Sequence, residues 1–377
     1  MMFIIPLVML AVMTALLINA GVVTFSWLKL ILKKLSPAVF YIIYAVLTVA
    51  TIAVFIGGRA VVLPNIIIKL GSYALGFYIN LILITVVVQI VRLLLKLVKV
   101  SEKIPSAAYA YVGAAVCLLT VGFTVYGWVN ANVVSKTTYE VEIENAEQHG
   151  ELKIAMISDV HLGNLIDERH LAKAVDVINS TNPDVVCILG DLFDGDFYAL
   201  RNPEKIAEQF LRIESRYGVY VAFGNHDAGS TYEQMVDFCK SAGMTLLREE
   251  AVTVGGAFTI VGRADSRSIG SAGIARTSAE AVLSSVDSSL PVIVMDHQPT
   301  NIREYGEEAD LILCGHTHKG QIIPINFITN LIGDVDYGYY KNPATGTQTI
   351  VSSGVGIWGP IMRTSGHCEV AEITVRY

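Results

Sequence analysis

Five short polar motifs follow one another between residues 159 and 318. They are D-V-H from Asp159, G-D-L-F-D from Gly190, G-N-H-D from Gly224, D-H-Q-P from Asp296 and G-H-T-H from Gly315. Together they offer seven side chains able to bind a metal: Asp159, His161, Asp191, Asn225, His297, His316 and His318. Two ligands two residues apart beyond a strand end, as in D-V-H and H-T-H, can point at one ion. A carboxylate such as Asp191 can bridge two ions through its two oxygens. The neutral Asn225 oxygen is a sensible ligand where anionic ones abound. Imidazole, carboxylate and amide ligands together suit Mn, Fe or Zn better than Mg or Ca, and the lack of cysteine among them argues against a structural zinc site. Two cations about 3.5–4 Å apart can share a hydroxide, bring its pKa toward neutrality and neutralise charge building on phosphoryl oxygens. The chemistry implied is in-line hydrolysis of a phosphoester.

The elements that must position these motifs are apolar runs immediately before them. Lys153–Ile157, Val185–Leu189, Val219–Phe223, Pro291–Met295 and Leu311–Cys314 read as buried strands. Helical spacing appears at Glu168–Asn179, with Leu171, Ala174, Val175 and Ile178 on one face, and again at Glu204–Glu214 and Tyr232–Ser241. Further strands are expected at Thr259–Val261 and Thr349–Val351. Thr138–Glu144 and the tail Glu369–Val375 alternate like edge strands. Strand–helix alternation of this kind implies an α/β sandwich with functional loops at the carboxyl ends of its strands. Gly320–Gly366 is less regular and reads as a loop-rich lid or wall near the site. Within it, Trp358 is expected to pack in the core, and Gly320, Gly354 and Gly356 to serve ordinary turns. Arg263, Arg267 and Arg363 are candidates to clamp a phosphate.

The motif series, with its G-H-T-H-K-G-Q ending, resembles the calcineurin-like metallophosphoesterase superfamily over roughly residues 150–377. The membrane-anchored N-terminus resembles that superfamily's bacterial membrane-associated phosphodiesterase branch. The resemblance implies that Asp159, His161 and His318 hold one metal, that Asn225, His297 and His316 hold the other, and that Asp191 bridges them. By the same resemblance His226 is the catalytic imidazole and Asp227 orients it, as a carboxylate next to a histidine fixes its tautomer. Asp194 supports its loop.

Charge divides the chain. Residues 1–135 hold nine Lys and Arg and one acid, Glu102; residues 136–377 hold 18 basic and 33 acidic residues and all eight histidines. The first part contains four stretches free of charge, Met1 to Leu28, Leu35 to Gly58, Leu70 to Val91 and Ile104 to Val134. Each reaches the roughly 20 apolar residues that span a bilayer. The expected organisation is therefore a four-helix transmembrane region at 1–135 followed by a calcineurin-like phosphoesterase domain at 136–377, in a multi-pass protein of the cell membrane. Lys29, Lys33 and Lys34 in the first loop and Arg92, Lys96, Lys99 and Lys103 in the third outnumber Arg59 and Lys69 in the second. The positive-inside rule then puts both termini, and the catalytic domain, outside the cytoplasm.

An acidic catalytic part lacks the basic face that nucleic-acid duplexes require. The tether points to a lipid bilayer as partner and to a phosphodiester substrate linked to lipid or envelope. A phosphomonoesterase of the same mechanism is one alternative. Another is a transporter or channel with a regulatory metal-binding domain, which the spans disfavour because they contain no acid and no paired charges. A metal-bound sensing module has no need of His226 and Asp227. Neither the oligomeric state nor the identity of the two metal ions follows from these residues.

Overall fold

Each apolar stretch forms one helix. The computed structural model describes residues 4–57, 63–100, 104–144 and 149–377. The helices are α1 (Ile4–Ile31), α2 (Pro37–Gly57), α3 (Asn65–Leu97) and α4 (Ser106–Asn130). All four are long and apolar enough to cross a membrane. Arg59, Glu102 and Lys103 lie outside the described residues. Helix α3 is longer than its uncharged run, so Lys69, Arg92 and Lys96 stand on the helix and not in loops. At about 1.5 Å per residue it is longer than the roughly 30 Å hydrocarbon core of a bilayer. Within this bundle Asn80 donates to Thr124 Oγ1 at 3.0 Å, as expected of a helix-packing polar residue.

By its internal contacts the chain divides into Met1–Trp128 and Val129–Tyr377. The second unit begins with β1 (Val134–Glu142) and β2 (Glu151–Ile157), then α5 (Glu168–Ser180), β3 (Val185–Leu189), α6 (Pro203–Leu211), β4 (Val219–Ala222), α7 (Tyr232–Ser241) and β5 (Met244–Leu246). It continues through β6 (Glu250–Val254), β7 (Phe258–Gly262), α8 (Ala279–Leu283), β8 (Val292–Met295), β9 (Leu311–Cys314), α9 (Ile325–Thr329), β10 (Gly338–Lys341), β11 (Gln348–Val351) and β12 (Cys368–Arg376). The strands form two six-stranded sheets, β1-β12-β2-β3-β4-β5 and β10-β11-β9-β8-β7-β6. Strands β2 to β5 run parallel in the first, and β7, β8, β9 and β11 in the second.

Period-two alternation explains the layering. Ile154, Met156, Cys187 and Leu189 from one sheet meet Ile260, Ile293, Met295 and Leu313 from the other in one core. The intervening residues Val292, Val294, Ile312 and Cys314 face outward under α8. Strands buried on both faces read as continuous apolar runs, which is why those before the motifs were legible. Helix α5 buries the predicted face, Leu171, Ala174, Val175 and Ile178, and is capped by Asp167, which accepts from the Arg169 and His170 amides. All five cysteines are free.

The tail departs from expectation. Strand β1 is an edge strand, but β12 lies between β1 and β2 and pairs with both. The polar positions of the tail Glu369–Val375 are Glu369, Glu372 and Thr374, and the first of these is a carboxylate buried in the interior. Glu369 accepts from Ser353 N at 2.7 Å, Thr137 Oγ1 at 2.7 Å, Ser352 Oγ at 2.9 Å and Tyr337 OH at 3.1 Å. Burial opposes its charge, but His367 and these donors hold its pKa down at about 2, against an ordinary 4.5. The folded value is depressed, so the stabilisation is complete above pH 4.5 and vanishes as pH falls toward 2. Glu369→Gln should lower unfolding stability at pH 7 by on the order of 3 kcal/mol. Urea unfolding at pH 7 and pH 3 checks this. A gap between wild type and variant that is equal at both pH values would show that the charge is not its source.

Candidate metal centre

The five motifs occupy the turns that leave β2, β3, β4, β8 and β9 at their carboxyl ends. The sandwich brings those ends together. His318 Nε2 lies 3.2 Å from His161 Nε2 and 3.3 Å from Asp159 Oδ1. His297 Nε2 lies 3.2 Å from Asn225 Oδ1 and 3.3 Å from Asp191 Oδ2, and His316 Nδ1 lies 2.9 Å from the same Asn225 oxygen. Asp191 Oδ2 is 3.7 Å from His161 Nε2, so this carboxylate stands between the two groups. Three sets, Asp159-His161-His318, His161-Asp191-His226 and Asp191-His297-His316, each have their ligand atoms within 4.8 Å of one another. All seven candidate ligands thus converge.

The local backbone is bent to make this possible. Asp159, His161, Asp191, His316 and His318 all have φ between 48° and 72°, the left-handed region that non-glycine residues avoid. Five such residues in one cluster mark a site where the surrounding fold holds strain for function. Glycine supplies the clearance. A Cβ at Gly190 (φ 76°) would lie 2.7 Å from Gly224 and from His297 Nδ1, and one at Gly354 (φ 82°) would lie 2.9 Å from Asp159 Cβ. Gly354 therefore makes room for a ligand loop instead of serving an ordinary turn.

Hydrogen bonds behind the cluster aim the rings. His297 Nδ1 donates to Leu189 O at 2.7 Å, which turns Nε2 toward Asp191 and Asn225. The His316 amide donates to both Asp159 oxygens, at 3.0 and 3.1 Å. The His226 amide donates to Asp191 Oδ1 at 2.8 Å.

The electrostatics call for cations. Burial works against charge on His297, yet Asp191 and Asp159 raise its pKa well above the usual imidazole value. Burial likewise opposes ionisation of Asp191, and His297 and His161 override it and lower its pKa. His318 is driven down to about 3 by burial, and burial also lowers His316 and His226. Imidazoles beside buried carboxylates, those of His316 and His318 held neutral by burial, form a donor set that fits divalent or trivalent metal ions.

One expectation needs correcting. Asp227 does not orient the His226 ring. Its fully buried carboxylate accepts from the amides of Phe193 and Gly224 at 2.8 Å and of Leu192 at 3.2 Å, tying the G-N-H-D loop to the G-D-L-F-D loop. Burial and the nearby Asp191 charge raise its pKa to about 7 despite those donors. The carboxylate beside the His226 imidazole is Asp194, whose Oδ1 is 3.8 Å from His226 Nδ1 and 3.7 Å from His161 Nδ1. Asp194 thus does more than support its loop, and nothing in G-D-L-F-D distinguishes its side chain's direction.

Two of the arginines read as phosphate clamps are walled in. Arg263 is spent on Glu249, Tyr305 and the Thr277 carbonyl. Arg363 donates to the carbonyls of His318, Ser353 and Gly356. Arg267 is exposed. Trp358 is 54% exposed, not packed in the core. Gly320–Gly366 is ordered around α9 and the β10–β11 hairpin.

A two-sheet α/β sandwich carrying this cluster defines a metallophosphoesterase. The family model for calcineurin-like phosphoesterases matches residues 152–320. An Aquifex aeolicus protein described as an uncharacterized metallophosphoesterase is 33% identical over 239 residues, covering 63% of this chain and 90% of its own length. A Helicobacter pylori J99 protein of the same description is 34% identical over 226 residues, and this chain spans 59% of it. A zebrafish transmembrane protein with metallophosphoesterase domain is 28% identical over 335 residues, covering 83% of this chain and 74% of its own. That share exceeds residues 136–377, so the alignment runs into the apolar helices. The chain belongs to the calcineurin-like metallophosphoesterase family.

Proposed function

We propose that this protein is a membrane-anchored, two-metal phosphodiesterase acting on a lipid- or envelope-linked phosphoester. The observation that carries the reading is the convergence of seven metal-capable side chains from five strand ends and both sheets. In this reading residues 1–135 anchor the protein in the bilayer and 136–377 carry the activity outside the cytoplasm. Asp159, His161 and His318 hold one ion; Asn225, His297 and His316 hold the other; Asp191 serves both. Manganese, iron and zinc suit the donor set. When bound, the ions supply a nucleophile at neutral pH and charge neutralisation on the phosphoryl group.

The chain's own groups do the rest. Asp191 is held in register by the His226 amide, so the carboxylate keeps one oxygen toward His297 and His161. The His226 imidazole, partly open like that of His316, is placed to donate a proton to a phosphoryl or leaving oxygen, and its lowered pKa lets it give that proton up readily. Asp194 faces its Nδ1 and steadies the ring. Asp227 keeps the loop, and hence the amide, in place.

Purified protein loaded with Mn²⁺ should hydrolyse bis-p-nitrophenyl phosphate faster than p-nitrophenyl phosphate. The reverse order would make it a monoesterase. Orientation is checked by cysteine labelling from outside intact cells at an exposed position such as Glu208→Cys; protection there would put the domain in the cytoplasm.

A further inference from the structure

Beyond its metal site the second unit carries an apolar surface that no expected role uses. From Gly320 to Gly333 the chain has no charged side chain, and this stretch leaves the H-T-H turn directly. Apart from the buried Ile322, its apolar residues point outward. Leu331 is 85% exposed, Ile332 67%, Phe327 63% and Ile328 57%, with Ile323 and Ile325 also exposed. In an α/β domain such residues belong in the core, and a contiguous apolar patch with an aromatic centre marks an interaction surface.

The surface is a stiff platform. Gln321 grips the Trp358 backbone twice, accepting from its amide at 2.9 Å and donating to its carbonyl at 2.7 Å. The Ile323 amide donates to Thr364 Oγ1 at 3.0 Å, and Thr329 Oγ1 donates to Asp336 at 2.9 Å. Thr317, inside the H-T-H turn, donates to the Asp336 carbonyl. The apolar segment is thus tied at its start to the loop around Trp358 and Thr364, and further on, through Asp336, to Thr317 between His316 and His318.

What covers it follows from the same loops. Asn130 is the last residue of the fourth candidate span. Its amide donates to the carbonyls of Arg363 at 3.0 Å and Gly366 at 2.8 Å, on either side of Thr364. One short loop therefore holds both the residue at which the chain leaves the span and the start of the apolar segment. Phe, Trp, Ile and Leu mixed with Asn and Thr, without charge, is the composition of a surface seated in the lipid interface.

We propose that Ile323–Ile332, with Trp358, lies in the interfacial layer of the bilayer and seats the metal site at headgroup level, where it meets phosphoesters presented by lipids. The part concerning substrate rests on the reading of a lipid-linked phosphoester. The interfacial seat does not.

The full-length protein in phosphatidylglycerol–phosphatidylcholine nanodiscs tests this. Phe327→Cys and, as a solvent control, Glu208→Cys are labelled with an environment-sensitive fluorophore, with labelled wild type as blank. Lipids carrying a doxyl quencher should quench the probe at 327 and not at 208. An unquenched probe at 327 overturns the proposal, and a second copy of the chain becomes the candidate occupant if discs then hold dimers. In the second arm, Phe327→Asp with Leu331→Asp should keep turnover of soluble bis-p-nitrophenyl phosphate and lose about tenfold or more on a vesicle-borne phosphodiester. Quenching at 327 together with no wild-type turnover of any vesicle-borne ester would leave the interfacial seat standing and remove the lipid substrate. Equal loss on soluble and vesicle-borne substrates would count against a docking role.

Discussion

Asp191→Asn is expected to abolish phosphoesterase activity by roughly 10³-fold or more and to strip the protein of bound metal. The oxygen atoms of this carboxylate reach into both halves of the cluster, with Oδ2 at 3.3 Å from His297 and 3.7 Å from His161. An asparagine is close in shape, but it offers one acceptor oxygen in place of two and brings an N–H₂ group into the cluster. If the oxygen keeps the His226 amide, the N–H₂ points at the ring nitrogens that should face a cation. If the amide flips, two donors face each other at His226. Either orientation removes the negative charge that offsets the cost of burying His297 in its protonated form. Elemental analysis of purified protein checks metal content. Thermal unfolding against Mn²⁺ concentration gives an independent readout, because a ligand of the native state stabilises it by about 2.7 kcal/mol at a hundredfold excess over Kd. The wild type should show that rise and the variant should not. Activity and metal content both preserved in Asp191→Asn would remove the two-metal scheme altogether.

The convergence of the candidate ligands was legible in sequence because each follows a strand buried on both faces. Such strands announce themselves as unbroken apolar runs, and the next two or three residues are forced to the carboxyl edge of a sheet. The four apolar helices were legible for a similar reason: length and absence of charge suffice. Other features leave no periodic trace. Strands β5, β6 and β10 and helices α8 and α9 are three to five residues long, too short for a repeat of 2 or 3.6 to show. Left-handed φ at Asp159, His161, Asp191, His316 and His318 is a property of tertiary packing and is invisible in residue type. Adjacency in sequence misled in one place. Asp227 follows His226, but in a tight turn successive side chains diverge, and Asp227 turns inward to three amides while Asp194 arrives from another loop. Glu369 misled in another: a charged residue in an alternating strand signals an edge, yet here hydroxyls and an amide solvate it inside. Exposure of Phe327, Leu331 and Trp358 could not be read either, since an apolar run looks alike in a core and on a platform.

The corrected geometry separates two neighbouring residues by experiment. His226→Ala should lower kcat by about 10²–10⁴-fold, the range of a positioned proton donor, while metal content stays near that of wild type. The His226 amide, which holds Asp191, survives the change, and the lost ring belongs to only one of the three clusters. Its pH profile should change as well. In the wild type burial lowers the His226 pKa below the ordinary imidazole value, so the form that donates declines as pH rises through that lowered value. That limb should be missing from the variant's kcat profile. Asp227→Asn should behave differently. Its carboxylate meets the Leu192, Phe193 and Gly224 amides and not the imidazole, so a neutral amide there loosens the loop and costs stability and metal affinity together. Asp194→Asn should instead mimic His226→Ala more weakly, because Asp194 faces both His226 Nδ1 and His161 Nδ1. Metal content, kcat and Tm measured on the three variants distinguish these roles. If Asp227→Asn loses kcat with metal and Tm intact, then Asp227, and not Asp194, governs the imidazole during turnover.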